Sequence, residues 1–209
     1  MVGSMSNTKH HWDGIYQNKS PLQQSWYQAE PRLSLRLIES TGLPYQAQII
    51  DIGGGASKLV DRLLDKGYQN LSVLDISGRA LNHARQRLAE RSDRVRWIEE
   101  DVQGFCPDQT FDLWHDRAVF HFLTDKAARK KYLAVLDKAL RPGGHLVIAT
   151  FAIGGPKQCS GLEIVQFDAA KMVTELGNNY LFIEQQAECH LTPSGCEQLF
   201  KYFRFERRE

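Results

Sequence analysis

From Gln48 onward, short β-rich runs alternate with amphipathic stretches, and this alternation restricts the chain to a mostly parallel sheet with helices on its faces. The first run, Ala47-Gln48-Ile49-Ile50-Asp51-Ile52, ends in Gly53-Gly54-Gly55. Leu59, Val60, Leu63 and Leu64 follow at helical spacing and stop at Gly67, a suitable left-handed cap. The second run, Leu71-Ser72-Val73-Leu74-Asp75-Ile76, leads into Ser77, an N-cap residue, and a helix with Leu81, Ala84 and Leu88 on one face. Residues 95–99 read as a third strand, and Phe111-Asp112-Leu113-Trp114 begins a fourth. A helix from Thr124-Asp125 buries Tyr132, Leu133, Leu136 and Leu140 before Arg141-Pro142-Gly143-Gly144 ends it, and residues 145–151 form a fifth strand.

The pattern then changes. A Gly- and Pro-containing loop over 152–162 precedes a short helix near 169–176 and two β-rich runs at 180–188 and 199–206. The link between those runs, about ten residues with Thr192-Pro193-Ser194-Gly195 as turn chemistry, suits an antiparallel pair better than a crossover. A chain of 209 residues supports one substantial core. The reading is therefore a single domain over 12–209, divided into a cap segment (12–46), a ligand-binding core (47–151) and a loop with terminal antiparallel strands (152–209). Met1-Val2-Gly3-Ser4-Met5 looks like a tag scar, so 1–11 is set aside as a tag or disordered leader.

Composition excludes several classes of function. A net charge of +1 with 24% charged residues gives no reason to expect nucleic acid, and Arg129-Lys130-Lys131 and the basic residues of 204–208 read as solvated faces. No apolar run spans a bilayer and no signal peptide precedes the body, so a cytoplasmic protein without a membrane partner is expected. Cys106, Cys159, Cys189 and Cys196 show no CxxC pairing, which argues against a disulfide framework and against a metal site.

The chemistry is read at the ends of the strands. Glycines after Asp51 let backbone approach a ligand, although many α/β proteins use such a turn for packing alone. Asp75, ending the second strand some twenty residues later, is where a carboxylate grasps a ribose diol. Together they imply an adenosine-type ligand. The dinucleotide fingerprint, read from Gly53, requires Gly or Ala where Lys58 stands, and so fails.

Asp51 to Gly55, Asp75, Glu100-Asp101, Phe111-Asp112-Leu113 and Leu140-Arg141-Pro142-Gly143-Gly144 resemble, in order and spacing, the successive motifs of the class I methyltransferases that use S-adenosylmethionine. The resemblance covers 48–151 and implies a three-layer α/β/α Rossmann-like fold with a mostly parallel seven-stranded sheet, the last strand antiparallel. It implies that Asp51, Gly53, Gly54, Gly55, Asp75, Ile76, Asp101 and Val102 bind the cofactor: the glycines beside its methionine and ribose, Asp75 at the ribose hydroxyls, Asp101 and the Val102 amide at adenine. Asp101 also reads as a helix cap. Gly54 stands where many relatives have cysteine or serine, a departure expected to be tolerated.

Methyl transfer from a sulfonium rests chiefly on in-line positioning, so no triad is expected. His115 and Asp116, at the carboxyl end of strand four, are the candidate catalytic groups if a proton must leave the acceptor, with ordinary structural hydrogen bonding as the alternative. Tyr16, Trp26, Arg117 and His121 are candidates for a substrate or cofactor lid. Trp12, Tyr16, Trp26 and Tyr27 are dense aromatics that suit a cation or serve only to bury area. Arg117 can neutralise Asp116 or bind an acidic acceptor, His121 can pack beneath the cofactor, and Cys159 reads as a bystander. The expected function is methyl transfer to a small molecule, with protein-lysine methylation and an inactive cofactor-binding partner subunit as alternatives.

Overall fold

The computed structural model describes residues 3–209, with side chains from residue 7 onward. Five strands and their covering helices follow the expected alternation: β1 (Gln48–Ile52), α3 (Leu59–Asp65), β2 (Asn70–Asp75), α4 (Gly78–Leu88), β3 (Val95–Glu99), β4 (Phe111–Arg117), α5 (Lys126–Ala139) and β5 (Leu140–Phe151). Helices α1 (Gly3–Asn18) and α2 (Arg32–Glu39) precede them; α6 (Ala169–Leu176), β6 (Tyr180–Leu191) and β7 (Glu197–Arg207) follow. The sheet has seven strands in the order β3-β2-β1-β4-β5-β7-β6. Strands β1 to β5 pair in parallel; β6 and β7 form the antiparallel pair that the terminal runs predicted, and β7 inserts between β5 and β6.

Both faces are covered. Leu33, Leu37 and Ile38 of α2 pack with Leu59 and Leu63 of α3 against Ile49, Leu113 and Val147. On the opposite face Tyr132 and Leu136 of α5 and Met172 of α6 pack against Trp114, Leu146, Phe203 and Phe205. Ser77 caps α4 by accepting the Ala80 amide, and Asp125 caps α5 by accepting the Ala127 amide.

Three boundaries differ from the sequence reading. Strand β5 begins at Leu140, because Leu140 takes an extended conformation and pairs with Phe111, so Arg141 to Gly144 start the strand irregularly instead of separating it from α5. The terminal strands run further toward their turn, which Thr192 closes by donating its amide to the Cys196 carbonyl. Of the segment set aside as a leader, Met1 and Val2 lie outside the described residues, and α1 begins at Gly3. Lys9 Nζ donates to the Ile76 carbonyl at 3.2 Å and pairs with Glu99, and Ser77 Oγ donates to Asp13 Oδ1 at 2.7 Å. These contacts fasten α1 over the ends of β2 and β3.

Strand β4 sends successive side chains to opposite faces. Trp114 Nε1 donates to Tyr132 Oη at 2.8 Å, and Tyr132 donates to Asp116 Oδ2 at 2.6 Å. The fully buried Asp116 also accepts the amides of Val119 and Phe120 at 2.9 and 3.1 Å. Burial pushes its pKa up to about 6, against these donors, which favour the charged form. Asp116→Ala is expected to destabilise the fold by about 3 kcal/mol, since it leaves buried donors unpaired; urea denaturation measures this, and a loss under about 0.5 kcal/mol refutes the structural assignment.

Candidate active site

Where β1, β2 and β4 end, the chain turns away and leaves a cavity at the carboxyl edge of the sheet, the place where open α/β sheets bind ligands. Gly53 and Ile52 come from β1, Asp75 and Ile76 from β2, Asp101 and Val102 from the turn after β3, and Arg117 from β4. Trp12 and Tyr16 of α1 and Trp26 of the following loop roof it. The segments are far apart in sequence. The parallel register brings them to one edge.

Gly53 has φ +65°, and a Cβ there would lie 2.1 Å from Val119 Cγ2, so only glycine keeps this turn. A Cβ on Gly54 would lie 2.5 Å from Asp51 Oδ2 and 2.8 Å from Val73 Cγ1. The departure at Gly54 is therefore matched to its neighbours here. Gly53, Gly54 and Asp51 border a second hollow, beside the first, with Ser34 and His115. Gly55 borders neither; its backbone approaches the Asp75 carboxylate and Ala80.

Asp75, which lines the cavity, accepts the Ser77 amide on Oδ1 at 2.8 Å, and its Oδ2 lies beside Gly55. Burial raises its pKa to about 7, with the negative charges of Asp51 and Asp13 adding to the shift and the Ser77 bond opposing it. Tyr16, buried next to it, has its phenol pushed up by burial and by the Asp75 charge. Asp101 lines the cavity and also accepts the Gln103 amide at 2.9 Å, so cavity lining and turn-capping coexist.

The two candidate catalytic residues are differently used. His115 Nδ1 donates to Asp51 Oδ1 at 2.7 Å and its Nε2 shares a hydrogen bond with the Ser34 hydroxyl at 2.9 Å, so the ring is a buried tie between β1, β4 and α2. It borders only the second hollow, on the glycine side. Asp116 points to the opposite face of the sheet and borders neither hollow, because one residue along a strand reverses direction. His121 is also displaced from the lid role. It is fully buried behind Phe122 and Phe151, ring centroids 4.5 and 4.8 Å away, and accepts the Phe151 amide at 3.4 Å. Burial, with the Arg117 charge, lowers its pKa to about 3.

Tyr16, Trp26 and Arg117 do border the cavity. Trp12 meets Trp26 and Phe122 edge-on at 5.8 and 5.1 Å, so the roof and one wall form one aromatic cluster. Phe122, Phe151 and Phe200 also line the cavity, and none was singled out from the sequence as a wall residue; Cys159, read as a bystander in the loop after strand five, lines it too. A period-two pattern identifies Phe151 and Phe200 as buried, but nothing local shows that they border a void.

Residues 50–146 match the family model for a methyltransferase domain. The strand order, with five parallel strands and an antiparallel end, agrees with that match. The chain contains a class I methyltransferase domain. It is 34% identical over 116 residues to nodulation protein S of Sinorhizobium fredii, an alignment covering 56% of this chain and 52% of that protein. The chain thus aligns with about half the length of the nodulation proteins it matches. It is 26% identical to EEF1A lysine methyltransferase 2 of Danio rerio, over 70% of each. The crystal structure of the N-methyltransferase NodS from Bradyrhizobium japonicum WM9 in complex with S-adenosyl-L-homocysteine shares the fold, with a TM-score of 0.74 at 21% identity, over 97% of this chain and 100% of that one.

The domain match contains Gly53, Asp75, Asp101 and Arg117, whereas Trp12, Trp26, Phe151 and Phe200 lie outside it. Gly54→Ser in this methyltransferase domain is expected to cost about 1–3 kcal/mol through overpacking against Asp51 and Val73. Thermal melts read the loss, and an unchanged melting temperature shows instead that both neighbours yield.

Proposed function

We propose that this chain transfers the methyl group of S-adenosylmethionine to a small-molecule acceptor and works in the cytoplasm, where its four free cysteines stay reduced. The observation that carries the reading is the buried Asp75 carboxylate, set in one cavity with Gly53, Asp101 and Val102. Three features support a fit to the donor: a side chain at position 53 would fill the turn, the Asp75 carboxylate lines the cavity as an acceptor for ribose hydroxyls, and Asp101 and the Val102 amide suit an adenine edge. When bound, S-adenosylmethionine supplies an electrophilic methyl on a sulfonium. The protein's part is then to orient the acceptor and exclude water, which the roof of Trp12, Tyr16 and Trp26 favours.

The likeness to a lysine methyltransferase of the elongation factor keeps a protein acceptor as the second reading. A lysine needs a narrow channel open to solvent; the aromatic roof fastened by Lys9 and Asp13 favours the small molecule. Binding without turnover, by contrast, would fit an inactive cofactor-binding subunit.

Calorimetric titration tests the donor site. Asp75→Ala is expected to weaken S-adenosylhomocysteine binding about 30-fold, roughly 2 kcal/mol for hydrogen bonds to a charged acceptor. Unchanged affinity removes Asp75 from the site. The pH dependence has a definite sign. A ligand that donates to the ionised carboxylate lowers a pKa that starts at about 7, so its binding releases a proton below that pH. Affinity is therefore expected to rise with pH up to about 7, by at most about tenfold per unit, and then level off. Asp75→Asn is expected to flatten this profile.

A further inference from the structure

Arg117 is the only cationic side chain among the described residues lining the cavity. In the sheet register Arg117 stands beside Ala149, and Ala149 beside Tyr202, on one face. Because Ala149 is small, the arginine extends across β5, away from the Asp75 end. Its Nε donates to Tyr202 Oη at 2.8 Å and its Nη1 to the Trp26 carbonyl at 2.9 Å, while the guanidinium lies 4.5 Å from the Phe200 ring centroid.

The third nitrogen is different. The Arg117 side chain is only 10% exposed, and its buried Nη2 has no hydrogen-bond partner. The nearest carboxylate oxygen, Glu188 Oε2, is 3.7 Å away and already accepts from Tyr202 at 3.0 Å and from Gln28 at 3.1 Å. A buried guanidinium N–H without an acceptor is costly, and an anionic oxygen in the cavity would satisfy it. The surrounding walls are flat and apolar: Trp12, Trp26, Phe122, Phe151 and Phe200.

Among the described residues, no lining group at this end is suited to take a proton. Burial raises the pKa of the Cys159 thiol, and His115, Asp116 and His121 are engaged or turned away as described. An acceptor that arrives already deprotonated needs none. Resting on the methyl-transfer reading above, we propose that the acceptor is a small aromatic compound whose anionic oxygen pairs with Arg117 and itself receives the methyl group. A lone pair of that oxygen forms the new O–C bond as the methyl's bond to the donor sulfur breaks. The electron pair of the broken bond stays on sulfur, so charge balances without proton loss. The product is neutral, and the grip of Arg117 weakens after transfer, which favours release.

The test uses protein loaded with S-adenosylhomocysteine and titrated calorimetrically with benzoate and para-nitrophenolate, their neutral counterparts benzamide and para-nitroanisole, and benzylamine. Label transfer from S-adenosylmethionine is followed in parallel. The anions are expected to bind at least about tenfold more tightly than the neutral compounds and to take the label. The double variant Arg117→Met/Glu188→Gln, which removes both charges of the pair, is expected to lose that preference while its affinity for S-adenosylhomocysteine stays within about threefold. Arg117→Lys keeps the charge and is expected to retain part of the preference.

The proposal is overturned if benzylamine or the neutral compounds bind or react as well, if no anion binds the loaded protein, or if the double variant keeps the preference. It is also overturned if the double variant loses S-adenosylhomocysteine binding by about tenfold or more, because Arg117 then serves the donor. Failure of the wild-type protein to bind S-adenosylhomocysteine overturns the methyl-transfer reading itself.

Discussion

The site depends on how the end of β4 disposes of three consecutive polar residues in a mostly buried sheet. His115, Asp116 and Arg117 must each find partners, because an unpaired polar group inside costs more than most contacts return. Strand alternation decides where they look. His115 finds Asp51 and Ser34 on one face, Asp116 finds Tyr132 and two amides on the other, and Arg117 reaches past the strand end to Tyr202 and Trp26. These ties align β1, β4 and α2 under the glycine turn, and they hold the first turn after β4, where Val119 meets Gly53.

From that arrangement follow two ends of the cavity with different physics. At the β1–β2 end, backbone turns and a buried carboxylate face a void, a setting suited to hydroxyl and amide donors of a nucleoside. At the far end, aromatic rings surround one cation that is hydrogen-bonded on two of its three nitrogens. Helix α1 covers both, and Lys9, Asp13 and Trp12 distribute its attachment over β2, β3 and the aromatic wall. Burial raises Asp75 under that roof and, behind Phe122 and Phe151, lowers His121, so one carboxylate and one imidazole are both pushed toward their neutral forms.

The sequence by itself determined the α/β alternation, the antiparallel end of the sheet and the turns at Gly53, Asp75 and Asp101 that border the cavity, because each is written in a contiguous stretch: a period, a cap, a glycine, a strand-ending carboxylate. The start of β5 at Leu140 and the helix running back to Gly3 escaped that reading, since a Pro-Gly-Gly stretch reads as a break and a Gly-Ser start as a tag scar until pairing and docking contacts supply the missing stability.

Only the tertiary structure decided what the polar residues of β4 do and what walls the far end of the cavity. His115 and Asp116 are neighbours in sequence but lie on opposite faces, and which of them meets the void depends on Ser34, Asp51 and Tyr132, up to 81 positions away. Phe151 and Phe200 face each other only because β7 inserts beside β5, in a register that also sets Tyr202 within reach of Arg117. Side-chain direction is local, but partners are not, and a group's role is settled by the partner that satisfies it.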